Sequence, residues 1–173
     1  RSPRGPGRAA TSCRCCGEAV DAAVFEADAD GAYWFVHPLL AEVLEQGLLP
    51  EERANLHAAF AAALEPAANA DEMSVEQIVD LADHHYRAGH RQEAYRWALL
   101  GADATGQAGG ATEMLRLLRR ALDLWPQVPH PELSKIDLLR RIQAAAEQAG
   151  EQEEELAAVD SLLAILDRDQ GHA

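Results

Sequence analysis

Ser74-Val75-Glu76-Gln77-Ile78, continued through Leu81, Ala82 and His85 to Gly89, then through Ala94, Trp97 and Ala98 to Gly101, decides the fold. Ser74 with Gln77 three residues later is a capping box, in which each side chain satisfies an N–H that a helix start leaves unpaired. Ile78, Leu81, Ala82 and His85 recur at the three- and four-residue spacing of one helix face, which predicts a helix over 75–88. Gly89 suits the turn that ends it, and Ala94, Trp97, Ala98 and Gly101 carry the same spacing through a second helix over about 91–104. With so short a connection, the economical packing is an antiparallel helical hairpin.

The pattern continues toward the C-terminus. The glycines of 106–110 interrupt it. A helix over 112–125 follows, with Met114, Leu118, Ala121 and Trp125 on one stripe, stopped by Pro126. After a loop holding Pro129 and Pro131, residues 134–149 show Ile136, Leu139, Ile142 and Ala146, with Gly150 as the cap. Residues 151–166 end the run with Leu156, Val159, Leu163 and Leu166.

Toward the N-terminus, 51–65 reads as a helix with Leu56, Phe60 and Leu64 at four-residue spacing, ended by Pro66 and a loop over 67–73. Pro50 opens it, and Glu51 and Glu52 complement the dipole of its first turn. Pro38 opens a shorter helix stopped by Gly47. Before it, 24–26 and 32–36 are strand-like runs around Asp28-Ala29-Asp30-Gly31, and Asp-Gly is a hairpin turn signal. Residues 18–24 suggest a short helix or helix end. Residues 1–17, rich in Arg, Pro and Gly, are expected to form a disordered tail, a misread or truncated start in place of further helices. Residues 168–173 are expected to form a second tail.

Composition narrows the function. The 173 residues, dominated by alanine, leucine and glutamate, favour helix over sheet. A formal charge of −14 argues against a nucleic-acid surface, and the acids Glu26, Asp28 and Asp30 at the hairpin tip argue against a DNA-contacting wing. No apolar run is long enough to span a bilayer, so no membrane partner is expected, and a cytoplasmic location is. The three cysteines, Cys13, Cys15 and Cys16, make no disulfide framework and lack a fourth metal ligand. His84 and His85 are helix neighbours about 100° apart, so they do not readily share an ion with His90; His85 is expected in the core and His84 on the surface. No metal site is assigned.

Phosphate-binding and nucleophile motifs are absent. Gly106-Gln107-Ala108-Gly109-Gly110 has no lysine and no preceding strand. Ser74 and Ser134 read as caps and Ser161 as helix body, none in a Gly-x-Ser-x-Gly elbow, so no catalytic residue is assigned and an enzyme is not expected. Glu151 to Glu155 read as a solvated first turn. Arg116, Arg119 and Arg120 form a small basic face, more simply solvated than bound to nucleic acid. Trp34, Trp97 and Trp125 are core anchors, or one of them lines a groove.

Two family resemblances follow. Ile78, Leu81, Ala82, His85, Gly89, Ala94, Ala98 and Gly101 fall at the large–small spacing of tetratricopeptide repeats, where small residues let paired helices approach closely. Met114, Leu118, Ala121 and Pro126 resemble the second helix of such a unit. The resemblance implies a mainly α fold in which antiparallel hairpins over 74–167 form a short superhelix with a partner-binding concave face. Separately, Tyr33-Trp34-Phe35-Val36-His37-Pro38-Leu39-Leu40-Ala41-Glu42, with Leu48 to Arg53, resembles the last part of the winged-helix segment in LuxR-type regulators and related signalling ATPases. Residues 18–66 would then be a winged-helix remnant: a β-hairpin with two helices.

That likeness implies a non-catalytic sensor fragment of an ATP-dependent transcriptional regulator. The repeats would bind a protein partner or small-molecule inducer, and ATP or ADP would belong to a domain outside this chain. His37 occupies the place of the histidine that contacts the β-phosphate of ADP in those ATPases, with Val36 and Pro38 where the family motif has Met and Asp. The plainer role for His37 is to cap its own helix. The alternative function is a free-standing, tetratricopeptide-like scaffold for protein–protein interaction.

Overall fold

The computed structural model describes residues 14–27, 33–65 and 73–170, without the side chains of 14–16, 38 and 168–170. It divides into two units, Arg1–Glu52 and Arg53–Ala173.

The first unit opens with α1 (Arg14–Asp21). This helix begins four residues before the expected one and takes in 14–17, which composition alone places in the tail. No proline after Pro6 interrupts the helical backbone ladder there. The helix ends in a Schellman turn, with Ala23 N–H on Val20 O at 2.9 Å and Val24 N–H on Ala19 O at 2.9 Å. Ala23 at φ 55° takes the left-handed place that glycine fills more easily.

β1 (Phe25–Ala27) pairs antiparallel with β2 (Tyr33–Phe35), Phe25 opposite Phe35 and Glu26 opposite Trp34. The Phe25 and Phe35 rings meet at 4.7 Å between centroids, the cross-strand aromatic contact that holds so short a ladder. The hairpin is therefore present as expected, and its turn, Asp28 to Gly31, lies outside the described residues. Trp34 is 49% exposed, so it is no core anchor; a two-stranded ribbon buries only one face. α2 (Pro38–Gly47) follows.

α3 (Pro50–Leu64) starts at the unit boundary, where the Glu52 carboxylate accepts from Leu49 N–H at 2.9 Å. The second unit continues with α4 (Val75–Ala88), α5 (Arg91–Gln107), α6 (Ala111–Leu124), a 3₁₀ turn over Trp125–Gln127, α7 (Lys135–Ala149) and α8 (Gln152–Gln170). The Ser74–Gln77 capping box is formed in both directions. Gly89 at φ 77° and Gly150 at φ 74° close α4 and α7 as Schellman turns, which is why the next helix can begin at once.

Each helix from α4 to α8 packs chiefly on its sequence neighbours. Ion pairs fix the alternation. Asp83 on α4 binds Arg116 and Arg120 on α6, and Arg119 on α6 binds Glu154 on α8. On the opposite side Asp103 on α5 binds Arg141 on α7. Thus α4, α6 and α8 form one layer, and α5 and α7 the other. Leu81, Tyr95, Leu117, Leu118 and Leu138 are fully buried between them. The longer α6–α7 connection is tied at Leu133, whose carbonyl accepts from Trp125 Nε1 at 2.9 Å and whose N–H donates to the Tyr95 hydroxyl at 3.4 Å.

The α4–α5 hairpin buries the expected faces, but two helices turn other sides inward. On α3 the buried residues are His57 and Ala61, while Leu56 and Phe60 are 41% and 49% exposed. On α8 Ala158 is buried and Leu162 and Ile165 half-buried, whereas Leu156, Leu163 and Leu166 are exposed. Both helices carry apolar or alanine residues on several sides, so spacing alone does not rank their faces.

Candidate functional site

A groove of about 480 Å³ runs along the α4–α6–α8 layer. Tyr86 of α4 stands at one wall, Thr112, Arg116 and Arg119 of α6 form the middle, and Glu151, just before α8, with Glu154 in its first turn form the other wall. Spacing of three and four residues puts Arg116, Arg119 and Arg120 on one side of α6, from which they reach both flanking helices.

Each guanidinium is engaged. Arg116 holds Glu113 at 2.6 Å and Asp83 at 3.2 Å. Arg120 also binds Asp83, and its guanidinium sits 4.5 Å from the centre of the Tyr86 ring. Arg119, the most exposed of the three, meets Glu154 at 2.7 Å. Burial pushes the Asp83 carboxyl up, but hydrogen bonding and charge from Arg120, with Arg116, outweigh it and leave it below the usual carboxylate range. The hydrogen bond to Glu113 raises Arg116 further.

The basic face read on α6 is therefore neutralised within the fold. Three arginines line the groove with the four carboxylates Glu113, Asp123, Glu151 and Glu154. Such a surface presents paired donors and acceptors beside an aromatic ring. The only sign of this site in the sequence was the spacing of the three arginines. Glu113 is three positions from Arg116 on the same helix, but Asp83 lies 33 and 37 positions from Arg116 and Arg120, so spacing could not reveal that partner.

Histidines form the second cluster. His57 of α3 and His84 of α4 meet Nδ1 to Nδ1 at 2.9 Å, and the Phe60 ring stacks on His84 at 5.2 Å between centroids. His84 is half-buried, not on the surface as expected, because α3 turns its His57 side to it. His85 is in the core as expected, touching His90 at 3.3 Å and the Glu65 carboxylate at 3.2 Å. His84 and His85 thus face different partners. Among the described residues no group of three or more His, Cys, Asp or Glu is arranged to hold a metal ion. Cys15 and Cys16 lie on α1, and Cys13 lies outside the described residues.

Burial, with His57 beside it, holds His84 below its ordinary pKa of 6.5. The folded chain then prefers neutral His84, and the unfolded chain takes the proton first as pH falls. Stability from this group is full above pH 6.5 and is lost as pH drops through the lowered folded value. Melting temperature should therefore fall between pH 7.5 and pH 5, and H84F should flatten that part of the profile. An unchanged slope in H84F would place the acid sensitivity elsewhere.

His37 is exposed and caps α2, its Nδ1 accepting from Leu39 N–H at 3.3 Å. The neutral ring then carries its proton on Nε2. Ser74 and Ser134 are helix caps, and Ser161 donates to the Ala157 carbonyl at 2.8 Å, so all three hydroxyls are engaged locally. No helix among the described residues is long and apolar enough to cross a membrane. No protein-family model, curated protein or solved structure matches this chain.

Proposed function

We propose that this chain is a non-catalytic interaction module, whose stacked helices form a tetratricopeptide-like array and take a protein segment in the α4–α6–α8 groove. The observation that carries this reading is the groove itself: it is lined by three successive helices of one layer and furnished with exchangeable ion pairs beside Tyr86.

The second reading sets the module inside an ATP-dependent LuxR-type regulator as its sensor region. What favours it is the order of elements: a hairpin, a helix capped by His37, a helix opening at Pro50, and then stacked helices. In that setting the Nε2–H of His37 would donate to a nucleotide phosphate held by a domain outside this chain. A soluble cytoplasmic location belongs to both readings.

Selection of a displayed peptide library on the full chain tests the interaction role. Enriched peptides should share a pattern, and R119E should weaken them at least tenfold, because it sets a third acid beside Glu154 and Glu151. Peptides that bind R119E as well as the parent, or no enrichment at all, would overturn it.

A further inference from the structure

The face of α8 turned away from α7 carries its own recognition pattern. Leu156 and Leu163 are 64% and 53% exposed, and Leu166 is 48% exposed. With half-buried Val159, these residues follow a 3-4-3 spacing, the a and d positions of a heptad. The row is continuous, since positions seven apart drift by only about 20° around a helix. Burial of Ala158 on the other side accounts for how α8 packs in the fold, and it leaves this row unused.

Charge says what covers it. Glu153, Asp160 and Asp167 also fall seven apart and lie directly alongside Leu156 and Leu163. In heptad terms they hold one whole flanking column, and all three are acidic and exposed. A second copy of α8 laid antiparallel would set that column against itself; laid parallel, it would set Asp160 near Glu155 of its neighbour. Both arrangements place like charges opposite one another, which coiled-coil flanking positions disfavour. A helix with lysines or arginines flanking its leucines meets acids along the whole row instead.

We propose that this face of α8 docks a basic amphipathic helix of a partner protein, in coiled-coil fashion. The surface is separate from the groove: Glu154, which pairs with Arg119, lies roughly 160° around the helix from Leu156, from the turn of about 100° per residue. The partner is recognised by leucines at heptad spacing that enter beside Leu156, Val159 and Leu163, and by cations that pair with Glu153, Asp160 and Asp167. Groove and helix face can then be occupied independently.

The test uses the full chain and two synthetic three-heptad peptides, both with leucine at a and d. One carries lysine at its flanking positions, the other glutamate. Titration calorimetry at moderate salt should show binding of the lysine peptide at least tenfold tighter than the glutamate peptide. L156S/L163S changes only exposed residues, so its circular dichroism should match the parent, and it should lose the lysine peptide at least tenfold. The triple variant E153K/D160K/D167K should reverse the preference. R119E should leave binding unchanged, which separates this proposal from the groove reading. Equal binding of both peptides, retention in L156S/L163S, or loss in R119E would overturn it. So would sedimentation showing a dimer of the parent chain that L156S/L163S abolishes, since a second copy would then be the occupant.

Discussion

Leu118→Ala should lower the stability of the second unit by about 3 kcal/mol, within the range for removing a fully buried leucine side chain. Leu118 has no exposed surface and lies in the core between the two helix layers. The loss combines the transfer energy of the missing methyl groups with a cavity that the close-packed layers cannot collapse. Leu56→Ala, on α3, should cost less than about 0.5 kcal/mol, because that side chain is 41% exposed. Urea unfolding of both variants checks the pair. Comparable losses would mean that α3 buries its leucine face after all, and that the His57–His84 contact is not the native one.

Gly101→Val should destabilise by about 2 kcal/mol, whereas Gly101→Ala should be close to neutral. A Cβ at this position would stand 3.0 Å from Leu117 Cδ1 and 3.7 Å from Ile78 Cγ2. Alanine asks the leucine methyl to give by a few tenths of an ångström, and it recovers up to about 1 kcal/mol of helix propensity in return. Valine adds two branches to the same gap between α4, α5 and α6, and its stiff χ1 cannot swing them both away. Thermal unfolding of the two variants is the measurement. A valine variant as stable as the parent would show that these three helices do not approach so closely.

The same position shows why much of the fold was legible beforehand. Gly101 belongs to a run, from Ile78 onward, in which large and small residues alternate on facing helices. That complementarity is local, because the two helices are joined by only Gly89 and His90. The capping box at Ser74 and the stop at Gly150 were equally local, as each pairs groups only a few residues apart: side chain with backbone N–H at Ser74 and Gln77, backbone with backbone at Gly150. The hairpin of β1 and β2 came from two strand-like runs and from a turn signal that joins them directly.

The candidate groove was not legible. Apart from the Arg116–Glu113 pair within α6, it is built by pairings between helices 30 or more positions apart, such as Asp83 with Arg116 and Arg120. A sequence shows that arginines share a face of α6, but not that acids from two other helices meet them there. His84 makes the same point: its neighbour His57 is 27 positions earlier, and helical spacing on α4 gave no reason to bury it.

The chain's own residues determined the helix ends marked by caps, prolines and left-handed glycines, which act within one turn of backbone. Where those are lacking the ends moved, so α5 runs through Gly106 to Gln107 and α8 to Gln170, past the expected 104 and 166. Packing decided which side of α3 and α8 faces inward, since both carry more than one apolar row and only contact with a neighbouring helix can choose between rows. It also decided the electrostatics of α6, because whether a guanidinium is free or paired depends on which distant carboxylate the stacked layers bring within about 3 Å, the distance of a charge-assisted hydrogen bond.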